Sequence, residues 1–182
     1  MTYDIKSVFY LDTQATIDDG ETGAGSAQLD LSAYVDPIAR GRSKGTGLAI
    51  YRSYFYIGRG SSGGQAPPAA ETGLMNYGLI AGWGLGDYAT GAISNPQLGP
   101  NNSLLVSAGM FAGQACPTAL GPFNYMEPSD KVPYVIVRDN VGLVYNVSDA
   151  FDSESILSVR MECAQISLDQ ATLNQLLRTQ TV

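Results

Sequence analysis

Leu29-Asp30-Leu31-Ser32-Ala33-Tyr34-Val35 alternates apolar and polar side chains over seven residues. In a strand, successive side chains point to opposite faces, so a period of two predicts one face on a core and one on solvent. Leu29, Leu31, Ala33 and Val35 are expected to face inward, and Asp30, Ser32 and Tyr34 outward. Asp36-Pro37 is expected to end the strand, because proline has no N–H to give to a ladder.

Working outward, the same signal recurs. Ile156–Ile166 reads Ile-Leu-Ser-Val-Arg-Met-Glu-Cys-Ala-Gln-Ile, with Leu157, Val159, Met161, Cys163 and, to a lesser extent, Ala164 as an inner face. Enrichment in β-branched and aromatic residues between turn residues predicts further strands at Ile5–Leu11, Leu48–Ile57, Met75–Ala81 and Leu104–Phe111. Asp18-Asp19-Gly20-Glu21 is the turn after the first of these. Tyr134–Arg138 and Leu143–Val147 flank Asp139-Asn140-Val141-Gly142, which predicts a hairpin, since Asn and Gly tolerate positive φ. About eight strands result. Between them lie three long loops rich in Gly, Pro and Asn, at Gly58–Gly73, Gly82–Asn102 and Gln114–Lys131.

One helix is expected, at the C-terminus. Ser167 is the expected N-cap, Gln170 completes a capping box, and Asp169 suits the positive end of the helix dipole. Leu168, Ala171, Leu173, Leu176 and Leu177 supply an apolar stripe, which docks either on this domain or on a neighbouring copy. The fold class is thus mainly β: an antiparallel β-sandwich with a short C-terminal helix, residues 1–182 forming one domain.

The chemistry of the chain excludes several activities. There is no histidine, so Ser-His-Asp and Cys-His catalysis and most zinc sites are removed. No P-loop motif occurs, and Gly82-Trp83-Gly84-Leu85-Gly86 lacks the spacing and βαβ context of a dinucleotide fingerprint. No catalytic, cofactor-binding or metal-binding set is expected. Carboxylates remain: Asp18, Asp19, Glu21, Asp87, Glu127 and Asp130 for a hydrolase pair, or Asp18-Asp19-Gly20-Glu21 and Asp149, Asp152 and Glu154 for calcium, with solvated turns the simpler reading of both. Cys116 and Cys163 have no CxxC partner, and their pairing stays open.

Charge and composition narrow the partners. Net charge is −7, which opposes general nucleic-acid binding. Half of the ten cations, Arg40, Arg42, Lys44, Arg52 and Arg59, lie within twenty residues, either as a solvated face or as a surface for an acidic partner. Charged residues make up only 15% of the chain, against a usual ~25%, which suits a protein packed against copies of itself. No basic–apolar leader opens the chain, and no long apolar run predicts a membrane span, so synthesis in the cytoplasm is expected.

Strand number, length and missing catalytic set give a pattern that resembles the single jelly-roll capsid proteins of tailless icosahedral viruses. The matching segments are Leu29–Val35, Leu48–Ile57 and Tyr134–Ile166. The resemblance implies a jelly-roll sandwich and a virion subunit that assembles with copies of itself and with other virion proteins, through its loops, Trp83 and the helix residues Leu173, Leu176 and Leu177. The chain lacks the long basic N-terminal arm of many such proteins, which leaves genome contact open. Eleven tyrosines support a rival reading, a sugar-binding sandwich of a viral fibre or appendage.

Overall fold

A computed structural model of the chain describes residues 8–36, 44–60, 73–82, 98–113 and 120–180. Among them are nine strands and one helix: β1 (Val8–Ile17), β2 (Gly23–Asp30), β3 (Lys44–Arg59), β4 (Leu74–Ala81), β5 (Leu105–Ala112), β6 (Leu120–Met126), β7 (Tyr134–Ile136), β8 (Asn140–Asp149), β9 (Ser155–Asp169) and α1 (Gln170–Thr179). They form two antiparallel sheets, ordered β1-β9-β3-β7 and β2-β8-β4-β5-β6.

This order follows from one long antiparallel ribbon. β1 pairs with β9, β2 with β8, β3 with β7 and β4 with β5. Winding the ribbon on itself then lays β9 against β3 and β8 against β4. With β6 set aside as a flap on β5, the eight remaining strands have the jelly-roll order.

The inner faces meet in a core that includes Ile17, Leu48, Ile50, Tyr77, Leu143 and Met161, all fully buried. A second cluster lies on the outer face of the four-stranded sheet. β9 changes its buried side partway along: Leu157, Val159, Met161 and Cys163 face the sandwich core, whereas Ala164, Ile166 and Leu168 face outward and are covered by α1. In β3 a bulge at Tyr51 shifts the register by one between Ile50 and Arg52. Leu48 and Ile50 face inward before it and Phe55 and Ile57 after it, while Ala49 and Tyr51 join the cluster beneath the helix. Close approach of the helix needs Gly45, where a Cβ would stand 2.7 Å from a Leu173 methyl. Burying Leu173 contributes roughly 1.5–3 kcal/mol.

Several expectations change. Leu29–Val35 is not a strand throughout. β2 ends at Asp30, and Leu31 O then accepts from the N–H groups of Tyr34 (2.8 Å) and Val35 (3.1 Å), which is a helical turn. Leu31 and Val35 are buried in both geometries, because a spacing of four residues fits a helical turn as well as alternate strand positions. Ala33, expected inward, is exposed. The expected 134–147 hairpin does not form. β7 lies in one sheet and β8 in the other, so Val137–Asp139 crosses between layers and Gly142 is an extended strand residue paired with Gln28. No non-glycine residue among those described has positive φ. β2 and β6 were missed over most of their length, the second hidden inside a stretch that reads as a Pro-rich loop. The helix begins two residues late: Ser167 still belongs to β9, and Asp169 is the cap, its Oδ1 accepting from Thr172 N at 2.7 Å. That hydrogen bond holds the Asp169 carboxyl below its ordinary pKa. Of the expected strand Ile5–Leu11, positions 5–7 lie outside the described residues and Val8–Leu11 fall within β1. β1 runs to Ile17 and is closed, as expected, by the turn at Asp18–Glu21, where Gly20 has φ +71° and Glu21 N donates to Asp18 O.

Candidate functional site

The free edges of the sheets are treated unequally. β1 and β2, the edges on one side, are joined by the short turn at 18–22 and lie against each other. β7 is capped by a side chain: the Gln180 amide accepts from Val137 N (3.1 Å) and donates to Val135 O (2.6 Å), taking the place of a further strand. Gln180 is buried, and its carbonyl accepts from Arg138 Nε at 2.8 Å. β6 is the fourth edge. It carries no charged residue, and its Phe123 and Tyr125 are 52% and 43% exposed. Edge strands in soluble proteins are usually blunted by charge or cover. Among the described residues β6 has no further strand on its outer side.

Neighbours hold β6 in place. Asn124 turns inward, where its Oδ1 accepts from the Tyr77 hydroxyl at 3.0 Å, and its amide donates to Glu127. Tyr125 donates to Leu98 O at 2.9 Å. Phe123 and Tyr125 therefore stand on the outward side of the five-stranded sheet, beside the cluster of Ile80, Leu104, Ala108 and Val144. Sequence reasoning passed over them because Pro122 and Pro128 frame the segment. The alternation Phe-Asn-Tyr-Met at 123–126 was the available signal.

A second exposed aromatic surface lies on the opposite side of the molecule, on the outer face of the four-stranded sheet. Tyr10, Tyr54 and Tyr56 are 57%, 48% and 44% exposed. Tyr54 and Tyr56, with Asp12, Gln14, Ser158 and Arg160, border a shallow depression of about 620 Å³, and Tyr10 stands beside it under the Arg160 guanidinium.

The residues singled out from the sequence are dispersed. Arg40, Arg42, Trp83, Asp87 and Cys116 lie outside the described residues. Lys44 and Arg59 occupy opposite ends of β3, and at ~3.3 Å per residue the strand places them roughly 50 Å apart. Lys44 lies opposite Asp169, and Arg52 forms an ion pair with Asp130 at 2.9 Å between two exposed groups. β3 therefore spreads these three cations along its length instead of gathering them. Leu173 is buried within its own domain, with Leu176 and Leu177 packed beside it, so the apolar stripe of α1 is used internally. Of the two expectations for this helix, docking on its own domain is the one that these contacts describe.

The carboxylates are also engaged. Glu21 Oε2 accepts from Asp18 N at 2.8 Å while its Oε1 meets the Tyr145 hydroxyl at 3.1 Å. Glu127 holds Asn124, and Asp130 holds Arg52. Among the described residues no group of three or more Asp, Glu, Cys or His is placed to hold a metal ion. No described helix is long and apolar enough to cross a membrane.

Cys163 is a free, buried thiol facing the sandwich core. Burial, with a smaller contribution from the Glu162 charge, pushes its pKa up to about 12. Since the thiolate is the reactive form, Cys163 is expected to resist a thiol reagent such as DTNB in the native protein and to react on unfolding. Mass mapping of the labelled cysteine checks this, and labelling of Cys163 without urea would contradict it.

Comparison with family models, with curated protein sequences and with solved structures gives no match for this chain.

Proposed function

We propose that this chain is a structural subunit of a protein shell, a virion capsid assembled in the host cytoplasm from copies of itself. The uncharged β6 edge, on which no described strand lies, carries this reading. A domain that covers one edge with its own Gln180 and leaves another lined by Phe123 and Tyr125 has a place for a neighbour. The jelly-roll winding and the 15% charge content support the same conclusion. A contact from β6 to a different patch on the next copy is head-to-tail, and such a heterologous contact gives a ring or shell where its rotation closes. The C-terminal helix, occupied within the domain, is not the assembly arm; other virion proteins are candidates for the same edge.

Purified protein at micromolar concentration is expected to give discrete assemblies by mass photometry and shells or rings in electron micrographs. A Phe123→Asp variant is expected to shift this population to monomer and weaken association at least about tenfold, since buried aromatics dominate interface energetics. Monomer alone for the unaltered protein would overturn the proposal. Assembly unchanged in Phe123→Asp would move it away from β6.

A further inference from the structure

We infer that the outer face of the four-stranded sheet is a binding site for a neutral oligosaccharide. The site is built on three rigid strands, β1, β9 and β3, in the part of the sheet that α1 leaves uncovered.

Three features of the site match a sugar. First, Tyr56 lies flat. A Cβ at Gly58 would be 2.8 Å from Tyr56 Cε1, so the ring rests along its own strand over the glycine while staying 44% exposed. Sugar rings present C–H faces that pack on such a surface, and an aromatic ring that is already lying down loses little freedom on binding. Second, donors and acceptors are interleaved beside the rings. Asp12 and Arg160 are directly opposite across the β1–β9 pair, yet no ion pair joins them. The Arg160 guanidinium is instead held over the Tyr10 ring, 5.9 Å from its centroid. The carboxylate accepts and the guanidinium only donates, and a sugar hydroxyl can do both, so neighbouring hydroxyls satisfy the two together. Third, the overall charge of −7 and the acidic groups at the site disfavour a polyanion, which selects a neutral chain over an acidic one.

The surface lies on the opposite side of the sandwich from β6, so sugar binding and assembly are separable. The test uses the full chain, immobilised and titrated with the neutral hexasaccharides of glucose, mannose, galactose and N-acetylglucosamine at concentrations up to millimolar, with a hyaluronan hexasaccharide as the anionic arm. At least one neutral hexasaccharide is expected to bind. Affinity is expected to fall at least tenfold in Tyr56→Ala and in Arg160→Ala, with thermal unfolding little changed because both side chains are exposed. Binding is expected to persist in Phe123→Asp whether or not that variant assembles. Failure of every neutral hexasaccharide to bind would overturn the inference. So would binding of hyaluronan alone, or binding that survives both Tyr56→Ala and Arg160→Ala.

Discussion

Replacing Gln180 with alanine is expected to lower the unfolding free energy by roughly 2–5 kcal/mol. The substitution removes two hydrogen bonds from the free edge of β7, those to Val137 N and Val135 O. Val137 is fully buried, and a buried backbone group left without a partner costs about 1–3 kcal/mol. Helix α1 ends at this residue, and the lost side chain is what ties that end of the helix to β7, so the same change loosens the leucines packed under the helix. Urea unfolding followed by circular dichroism measures the loss. Gln180→Glu supplies a sharper check. The ionised side chain still accepts from Val137 N but sets a carboxylate against the Val135 carbonyl. Once protonated it carries one donor and one acceptor, the pattern of the amide. This variant is therefore expected to be strongly destabilised at neutral pH and to regain stability, relative to the unaltered chain, as the solution is acidified. A loss under about 0.5 kcal/mol in the alanine variant would mean that water replaces the amide at the β7 edge.

Alkali is expected to unfold the protein steeply above about pH 10. Burial raises the pKa of Tyr77, Tyr134 and Tyr145 well above that of a free tyrosine, with the nearby charges of Glu127 on Tyr77 and Glu21 on Tyr145 adding to it. All three hydroxyls are committed to donation: Tyr77 to Asn124 Oδ1, Tyr134 to Ser103 O at 2.8 Å, and Tyr145 to Thr16 O and Glu21 Oε1. The ionised form cannot donate. A folded pKa above the unfolded one means that the stability is fully present below the unfolded value near 10. It is lost as the pH rises from there towards the folded values. Each group contributes a slope of about 1.4 kcal/mol per pH unit in that window, so the three together approach about 4 kcal/mol per unit. Typical domains have about 5–15 kcal/mol in total, which places collapse within a few units. Cys163 starts the decline earlier, from about pH 9, because its folded pKa is pushed up to about 12. Urea midpoints at intervals from pH 7 to 11 are expected to be flat and then to fall. Tyr145→Phe should remove about one quarter of the slope above pH 10, where Cys163 contributes as well. A flat profile to pH 11 would show that these hydroxyls ionise in the folded state.

Much of the local structure was legible in the sequence. The inner face of β9, Leu157 to Cys163, and the strand at Met75–Ala81 follow directly from alternation and β-branched content. Misreadings arose where local signals were shared or interrupted. Leu31 and Val35 satisfy both periods at once. Asn140 and Gly142 looked like turn residues, yet ladders on both sides of β8 hold Gly142 extended. Around Phe123, the prolines mask a short edge strand. The candidate surfaces were less legible than the strands. Tyr10 and Arg160 are 150 positions apart in the chain and meet only because β1 lies on β9.

By itself, then, the sequence determined the mainly β character, the single terminal helix and the absence of histidine chemistry. These depend on period, composition and residue type, all of which are local. Only the tertiary structure decided the jelly-roll winding, the seating of Leu173 on its own domain, the spread of Lys44, Arg52 and Arg59 along β3 and the edge on which no described strand lies. Each of those depends on which distant strands pair and on what then covers an outer face. Alternation specifies that a face is buried, but hydrogen-bonding edges are the same on every strand, so it carries no information about the partner.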